Sequence, residues 1–136
     1  MSKGLRSVGE AHLAKQFAAA AKEPQRKHKY GAEPVVVDGH WFASKREAKR
    51  WQELEWMRAL GEVLLIVRQV GFEISPAVRD ETGHVKAPAQ RYIADFLVHW
   101  KDGRVTVEDA KGMKTATYLN KKRRVEAIYK ITIVEV

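Results

Sequence analysis

Two aspartates interrupt two neighbouring apolar segments, and this feature constrains the fold more than any other. The segments 91–100 and 104–111 both have the composition of β-strands, with Asp95 inside the first and Asp109 inside the second. Strands disfavour Asp, and a lone buried carboxylate destabilises a protein core. A functional role explains these two residues better than a structural one, so we expect both to belong to a site.

The turn between the two segments decides whether Asp95 and Asp109 meet. A two-residue loop at Asp102-Gly103 would place Asp95 opposite Ala110, whereas a three-residue loop over 101–103 would place it opposite Asp109. Directly opposed residues share one face of a sheet. The sequence allows both registers, and only the second unites the two carboxylates.

In the second register the carboxylates form a potential metal site. Their Cβ atoms would lie about 5 Å apart, and a divalent cation would remove their mutual repulsion. Mg²⁺ favours carboxylate oxygens together with waters and substrate phosphate. Lys111 would point the same way as Asp109, and Glu47, on the inward stripe of a predicted helix, could complete the ligand set. This combination suits metal-assisted hydrolysis of a phosphodiester.

Local patterns predict the elements around these strands. Ser44 and Glu47 have the capping-box spacing and Gly61 ends the pattern, so 44–60 is predicted to be a helix. Pro76, Gly83 and Pro88 indicate a loop over 75–90. The remaining predictions are a helix over 9–22, a linker over 23–34, a hairpin over 35–42, strands over 63–74 and 131–136, and a helix over 114–130.

The charge of the chain favours a polyanionic partner, nucleic acid above all. Lys and Arg number 25 against 17 Asp and Glu, a formal net charge of +8. Basic residues predominate over 1–50 and 111–130, and acidic residues over 51–110. The residues that we expect to contact DNA are Lys114, Thr115, Lys121, Lys122, Arg123 and Arg124, with Arg26, Lys27 and Lys29 nearer the N-terminus.

Several function classes are excluded by what the chain lacks. It has no Cys, which rules out disulfides, cysteine-ligated zinc and thiol nucleophiles. It has no Gly-rich phosphate loop, so we expect no nucleotide cofactor. No apolar run approaches the roughly 20 residues of a membrane helix, and the N-terminus lacks the apolar core of a secretory signal. We expect a cytoplasmic protein without a membrane partner.

The motifs resemble a known nuclease superfamily. Ala94-Asp95-Phe96 followed by Asp109-Ala110-Lys111 is similar to the PD-(D/E)XK signature, with Ala94 in place of the Pro. The segments around them, including 42–48 and 107–115, resemble a small phage and prophage branch that is similar to Holliday junction resolvases. The resemblance covers about residues 29–136, so we divide the chain into an N-terminal helical and basic extension, 1–28, and a nuclease-like domain, 29–136.

The resemblance implies a fold and a function. The fold would be α/β (α+β), a mixed central sheet flanked by helices in a restriction-endonuclease-like core. The activity would be Mg²⁺-dependent cleavage of DNA four-way junctions by a homodimer, with Mn²⁺ as a substitute, in a bacterial or phage-infected cell. Asp95, Asp109 and Glu47 would be metal ligands and catalytic residues, and Lys111 the catalytic lysine. Gln69 matches a Gln of the branch and is an accessory residue, whereas Glu108 should face the other side of its strand.

Two other functions remain open. A non-catalytic basic protein that binds nucleic acid would explain the charge equally well, although it leaves the two strand aspartates unexplained. A nuclease of the same fold that cuts DNA other than junctions would share every motif, because junction recognition depends on dimer geometry.

Overall fold

The computed structural model describes residues 33–136. The predicted helix over 9–22, most of the linker and the basic residues Arg26, Lys27 and Lys29 lie outside the described residues. The division into 1–28 and 29–136 therefore stays a prediction.

The described part of the chain is α+β, with two helices, a four-stranded mixed sheet and two small hairpins. The strands are β1 (Val35–Val37), β2 (His40–Phe42), β3 (Val63–Ser75), β4 (Val78–Arg79), β5 (Val85–Ala87), β6 (Gln90–Trp100), β7 (Val105–Asp109) and β8 (Ile133–Glu135). The helices are α1 (Lys45–Ala59) and α2 (Ala116–Tyr129).

The main sheet has the strand order β3-β6-β7-β8. β6 pairs antiparallel with β3 and with β7, and β8 joins parallel to β7 after the α2 crossover. The predicted mixed sheet is thus confirmed. A parallel pair requires a long connection, which α2 supplies.

The first helix begins and ends where the sequence predicts. The Glu47 N–H donates to the Ser44 hydroxyl at 3.1 Å, and Gly61 adopts a φ of +81°, which favours glycine just after a helix. This helix covers one apolar cluster, centred on Trp51, Leu54 and Phe96. The second helix covers another cluster through its buried face.

Part of the predicted loop over 75–90 is ordered as the β4–β5 hairpin. One oxygen of Asp80, Oδ1, accepts hydrogen bonds from the backbone N–H groups of Thr82 and His84, both at 3.0 Å. Asp side chains stabilise turns by bonding to nearby backbone in this way. The prediction missed these strands because the turn residues dominate such a short segment.

Within residues 33–136, no helix has the length and apolar character needed to cross a membrane.

Candidate metal and nucleic-acid site

The strand register is the one that brings the two aspartates together. Phe96 lies opposite Glu108, and His99 lies opposite Val105. The Trp100 N–H donates to the Arg104 carbonyl at 2.9 Å across a three-residue loop. Continued along the strands, this register places Asp95 opposite Asp109.

The geometry of the loop explains the choice of register. Gly103 has a φ of +91°, the left-handed conformation that a three-residue hairpin loop requires at this position. The sequence allowed both loops because Asp-Gly also suits a two-residue turn. The long-range pairing of β6 with β7 decides between them.

Asp95 is held between the backbone and an amide. Its Oδ2 accepts a hydrogen bond from the Ala110 N–H at 2.7 Å, and its Oδ1 lies 3.4 Å from the Gln69 amide nitrogen. Burial, followed by the negative charge of Asp109, raises the pKa of Asp95 to about 7. The pair therefore gains most from a nearby cation when both carboxylates are ionised.

Asp109 is completely buried. Its Oδ2 accepts a hydrogen bond from the Tyr92 hydroxyl, and its Oδ1 has no hydrogen bond among the described residues. The Lys111 ammonium lies 3.3 Å from Oδ1 as an ion pair. Burial and the bond to Asp109 raise the pKa of Tyr92, so this hydroxyl remains a donor. The Oδ1 atom of Asp109 can therefore interact with a metal cation or with the Lys111 ammonium.

Glu47 lies in the first turn of α1 and faces the site. Its side chain is 3 % exposed, its Oε2 accepts from the Ala43 N–H at 3.0 Å, and its Oε1 accepts from the Gln69 amide at 3.0 Å. Burial raises the pKa of Glu47 against these hydrogen bonds. The capping interpretation and the site interpretation are therefore compatible.

Gln69 connects the helix acid to the strand acid. Its amide nitrogen contacts both Glu47 and Asp95, and its backbone has a φ of +53° in the middle of β3. Its neighbours pair with Phe96 and Ala94, so it lies opposite Asp95. A left-handed non-glycine residue within a strand is uncommon, and such conformations concentrate at functional sites. The sequence signal was a polar residue in an apolar strand.

The packing of β6 changes next to Asp95, opposite the irregular backbone of Gln69. Ala94 belongs to the cluster under α2, whereas Phe96, two residues on, belongs to the cluster under α1. In a regular strand these two side chains would share a face. The irregular backbone at Gln69 accompanies this change and leaves the carboxylates at the junction between the two clusters.

A cavity of about 570 Å³ opens in front of these residues. Glu47, Asp95 and Lys111 line it from the helix and the sheet. The β1–β2 hairpin also lines it, together with Arg68 and Ile93 of the sheet. The cavity therefore presents carboxylates, cations and aromatic surface to one ligand.

Asp95 and Asp109 fit a hard divalent cation, although residues 33–136 form no ready-made cage of three or more His, Asp or Glu ligands. Mg²⁺ in proteins commonly takes only one or two carboxylates and completes its shell with waters and phosphate oxygens. The buried Oδ1 of Asp109 lacks a hydrogen bond among the described residues, as expected of a ligand atom. Glu47 is separated from the pair by the Gln69 amide.

The predicted DNA contacts of the C-terminal half fall into different environments. Lys114 and Lys122 both pair with Glu135, the latter at 2.7 Å. The Thr115 hydroxyl caps α2 by accepting from the Tyr118 N–H at 3.1 Å. Lys121 is half-buried, Arg123 is exposed, and Arg124 donates to the Gln90 side chain at 2.6 Å.

Glu135 is a site neighbour that sequence reasoning missed. The parallel pairing of β8 with β7 places it opposite Asp109. Hydrogen bonds from Lys114 and Lys122 lower the pKa of Glu135 to about 2. Only the long-range pairing of the last strand brings it here, and no local pattern signals that pairing.

Glu108 faces away from the site, as its alternation with Asp109 predicts. It is 2 % exposed and forms two hydrogen bonds with Arg50 of α1, at 2.7 and 2.9 Å. Glu108 therefore joins the sheet to the first helix and leaves Asp109 as the acid of β7 that faces the site.

The described chain is thus an α+β protein with paired strand carboxylates and a lysine beside a cavity. Residues 27–134 match a family described as a protein of unknown function, DUF1064, and the chain belongs to this family. No curated protein and no solved structure matches the chain.

Proposed function

We propose that this chain is a metal-dependent DNA endonuclease with a restriction-endonuclease-like core. The observation that carries the proposal is the register that sets Asp95 opposite Asp109, with Lys111 at 3.3 Å from Asp109. Burying two opposed carboxylates is unfavourable without a compensating charge, so the placement of Asp95 in the cavity lining, with Asp109 buried behind it, supports a bound cation.

Each residue has a separate role in the proposed reaction. Asp95 and Asp109 would hold Mg²⁺, with Mn²⁺ as a substitute, and the ion would lower the pKa of a water and neutralise phosphate charge. Lys111 stabilises the negative charge that develops on the phosphate oxygens. Gln69 fixes Glu47 and Asp95 relative to each other through its amide.

The proposed substrate is a branched DNA, most specifically a four-way junction, in the cytoplasm of a bacterial or phage-infected cell. The net charge of +8 supports binding to a polyanion. The resemblance to phage-type resolvases supports the branch specificity. Paired incisions at a junction require two sites, so we propose a symmetric homodimer, which sedimentation at working concentration would test.

The test is cleavage of a labelled four-way junction beside a linear duplex of the same arms, in Mg²⁺ and in EDTA. We expect Mg²⁺-dependent cuts at the junction. The Asp95→Asn variant should lose at least about a hundredfold in rate, because the variant loses a charged ligand.

Asp102→Asn provides the matched control. Asp102 lies on the same hairpin, at the loop end, and bonds to Arg104 rather than to the site. Wild-type cleavage by a folded Asp95→Asn protein would refute the proposal. Cutting of both substrates would keep the nuclease and reject the junction specificity, and tight binding without cutting in any divalent metal would favour a non-catalytic binding protein.

A further inference from the structure

Arg68 lines the cavity, where its positive charge lowers the pKa of Glu47 against the larger effect of burial, but it forms no ion pair with a carboxylate among residues 33–136. It pairs with Phe96 in the register of β3 and β6 and lines the cavity with Trp41 and Lys111. Its position is one residue before Gln69. An arginine beside ionisable groups in a cavity needs either a partner anion or a structural task.

The guanidinium of Arg68 is fixed in place by aromatic rings. Its Cζ lies 4.3 Å from the centre of the Phe42 ring and 5.5 Å from that of the Trp51 ring. Stacking on rings orients the planar fork and lowers the entropy lost when it binds an anion. The residue is therefore preorganised.

Most of the donors of Arg68 are unused among the described residues. One nitrogen, Nη2, donates to the Trp41 carbonyl at 2.6 Å, and the buried Nε has no hydrogen-bond partner within residues 33–136. A guanidinium has five N–H donors, and a buried unsatisfied donor is unfavourable. An anion that enters the cavity would bond to the free N–H groups of the two Nη nitrogens.

The apolar lining beside Arg68 suits a nucleobase. Trp41, on the β1–β2 hairpin, is 44 % exposed, and Ile93 of β6, which also lines the cavity, is 53 % exposed. The ring of a tryptophan stacks on any base. The volume of about 570 Å³ exceeds that of a single nucleotide.

We propose that this cavity binds one unpaired nucleotide of a DNA strand, with Arg68 on a phosphate and Trp41 on the adjacent base. The inference rests on the proposed function. It adds that the DNA substrate presents an unstacked nucleotide beside the metal site, a point that the proposed function does not specify. Arg68 binds the phosphate as a bidentate donor, while Lys111 remains with Asp109.

Binding without metal tests the role of Arg68. Fluorescence anisotropy of a labelled oligothymidylate in EDTA, over a series of salt concentrations, gives the affinity and its salt dependence. Arg68→Gln should weaken binding about tenfold and reduce the slope of log K against log salt by about 0.7, the value for one phosphate contact of a single strand. Arg68→Lys should keep the slope and lose part of the affinity.

Arg104→Gln is the matched control. Arg104 also lies over a tryptophan ring, with Cζ 5.3 Å from the centre of Trp100, but it is at the distant loop. We expect less than a twofold change for it. A purely structural Arg68 would lower thermal stability in both Arg68 variants and leave the salt slope unchanged, which would overturn the inference.

An abasic oligonucleotide of the same length tests the role of Trp41. Trp41→Ala should weaken binding to oligothymidylate about tenfold and leave binding to the abasic strand unchanged, since stacking needs the base. Trp56→Ala, at an exposed position of α1 outside the cavity lining, should change neither. An equal loss of affinity for oligothymidylate and for the abasic strand would show that Trp41 does not stack on a base.

The failures of the two proposals are distinguishable. If the wild type cuts junctions and Arg68→Gln binds oligothymidylate as tightly as the wild type, the cavity inference is wrong and the nuclease stands. If the wild type cuts junctions but does not bind the oligonucleotide, the cavity inference is again wrong and the nuclease proposal stands. If the wild type neither binds nor cuts any DNA, both are wrong.

Discussion

At the scale of single residues, the burial of Asp95 couples stability to pH. Burial and the charge of Asp109 raise the pKa of Asp95 in the folded protein from the ordinary value of an aspartate, near 4, to about 7. The folded state therefore holds the proton more tightly, and stability falls as pH rises through the window from about 4 to 7. In EDTA we expect Asp95→Asn to raise the free energy of unfolding at pH 8 by about 1–3 kcal/mol, and to change it little at pH 4.

Urea unfolding in EDTA at these two pH values measures the effect. Asp102→Asn is a control of opposite sign, since hydrogen bonds from Arg104 lower the pKa of Asp102. Its loss of stability should appear at pH 8 and not at low pH. An Asp95→Asn protein that is no more stable than the wild type at pH 8 would contradict the account of Asp95.

Thr115 illustrates how a structural role can account for a residue expected to bind DNA. Its hydroxyl caps α2 at the Tyr118 N–H. We expect Thr115→Ala to lower the free energy of unfolding by about 1 kcal/mol, and Thr115→Ser to restore it. Thermal unfolding measures both. Junction affinity in EDTA separates the two roles. A Thr115→Ala protein that loses affinity without losing stability would support a DNA contact by Thr115 and contradict its role as a helix cap.

At the scale of elements, a buried ion pair joins α1 to β7. Arg50 donates two hydrogen bonds to the Glu108 carboxylate, which is 2 % exposed. Removing one partner leaves a buried charge, so Arg50→Met should lower the free energy of unfolding by about 3–5 kcal/mol. Arg50→Met with Glu108→Leu should recover most of that loss.

A double-mutant cycle by urea unfolding measures the coupling between Arg50 and Glu108. The exposed pair of Arg58 and Glu55 on the same helix gives the comparison, and we expect less than about 1 kcal/mol there. Additive losses at Arg50 and Glu108 would show that the pair does not hold the helix to the sheet.

Local patterns predicted the elements well, because each depends on neighbours in sequence. Ser44 and Gly61 mark the ends of α1, and Asp38-Gly39 marks the first hairpin, with both residues at positive φ. The register of β6 with β7 and the parallel pairing of β8 depend on contacts between distant segments. The pairing of Asp95 with Asp109 was therefore left open by the sequence, and Glu135 was missed.

At the scale of the whole molecule, Glu135 neutralises two lysines that could otherwise bind a polyanion. It pairs with Lys114 and Lys122, and its pKa near 2 keeps it ionised throughout the usual pH range. Glu135→Gln should release both lysines, tighten junction binding about fivefold and steepen the salt slope by up to about 2, near 0.9 for each phosphate contacted.

Anisotropy of a labelled junction in EDTA, from low to high salt, measures this change. Glu126→Gln serves as a control, because the carboxylate of Glu126 on α2 accepts a hydrogen bond from the Ile133 N–H of β8 and forms no ion pair with a lysine among residues 33–136. An unchanged slope in Glu135→Gln would mean that Lys114 and Lys122 do not reach DNA.

The left-handed backbone of Gln69 has a consequence for evolution. Natural variation at this position is limited by shape as well as by chemistry, because few side chains accept a φ of +53°. Gly and Asn tolerate it best, and of these only Asn retains an amide. A β-branched residue at position 69 would strain this backbone and would lose the amide that contacts Asp95. We therefore expect the residues at positions 69 and 95 to covary across the family.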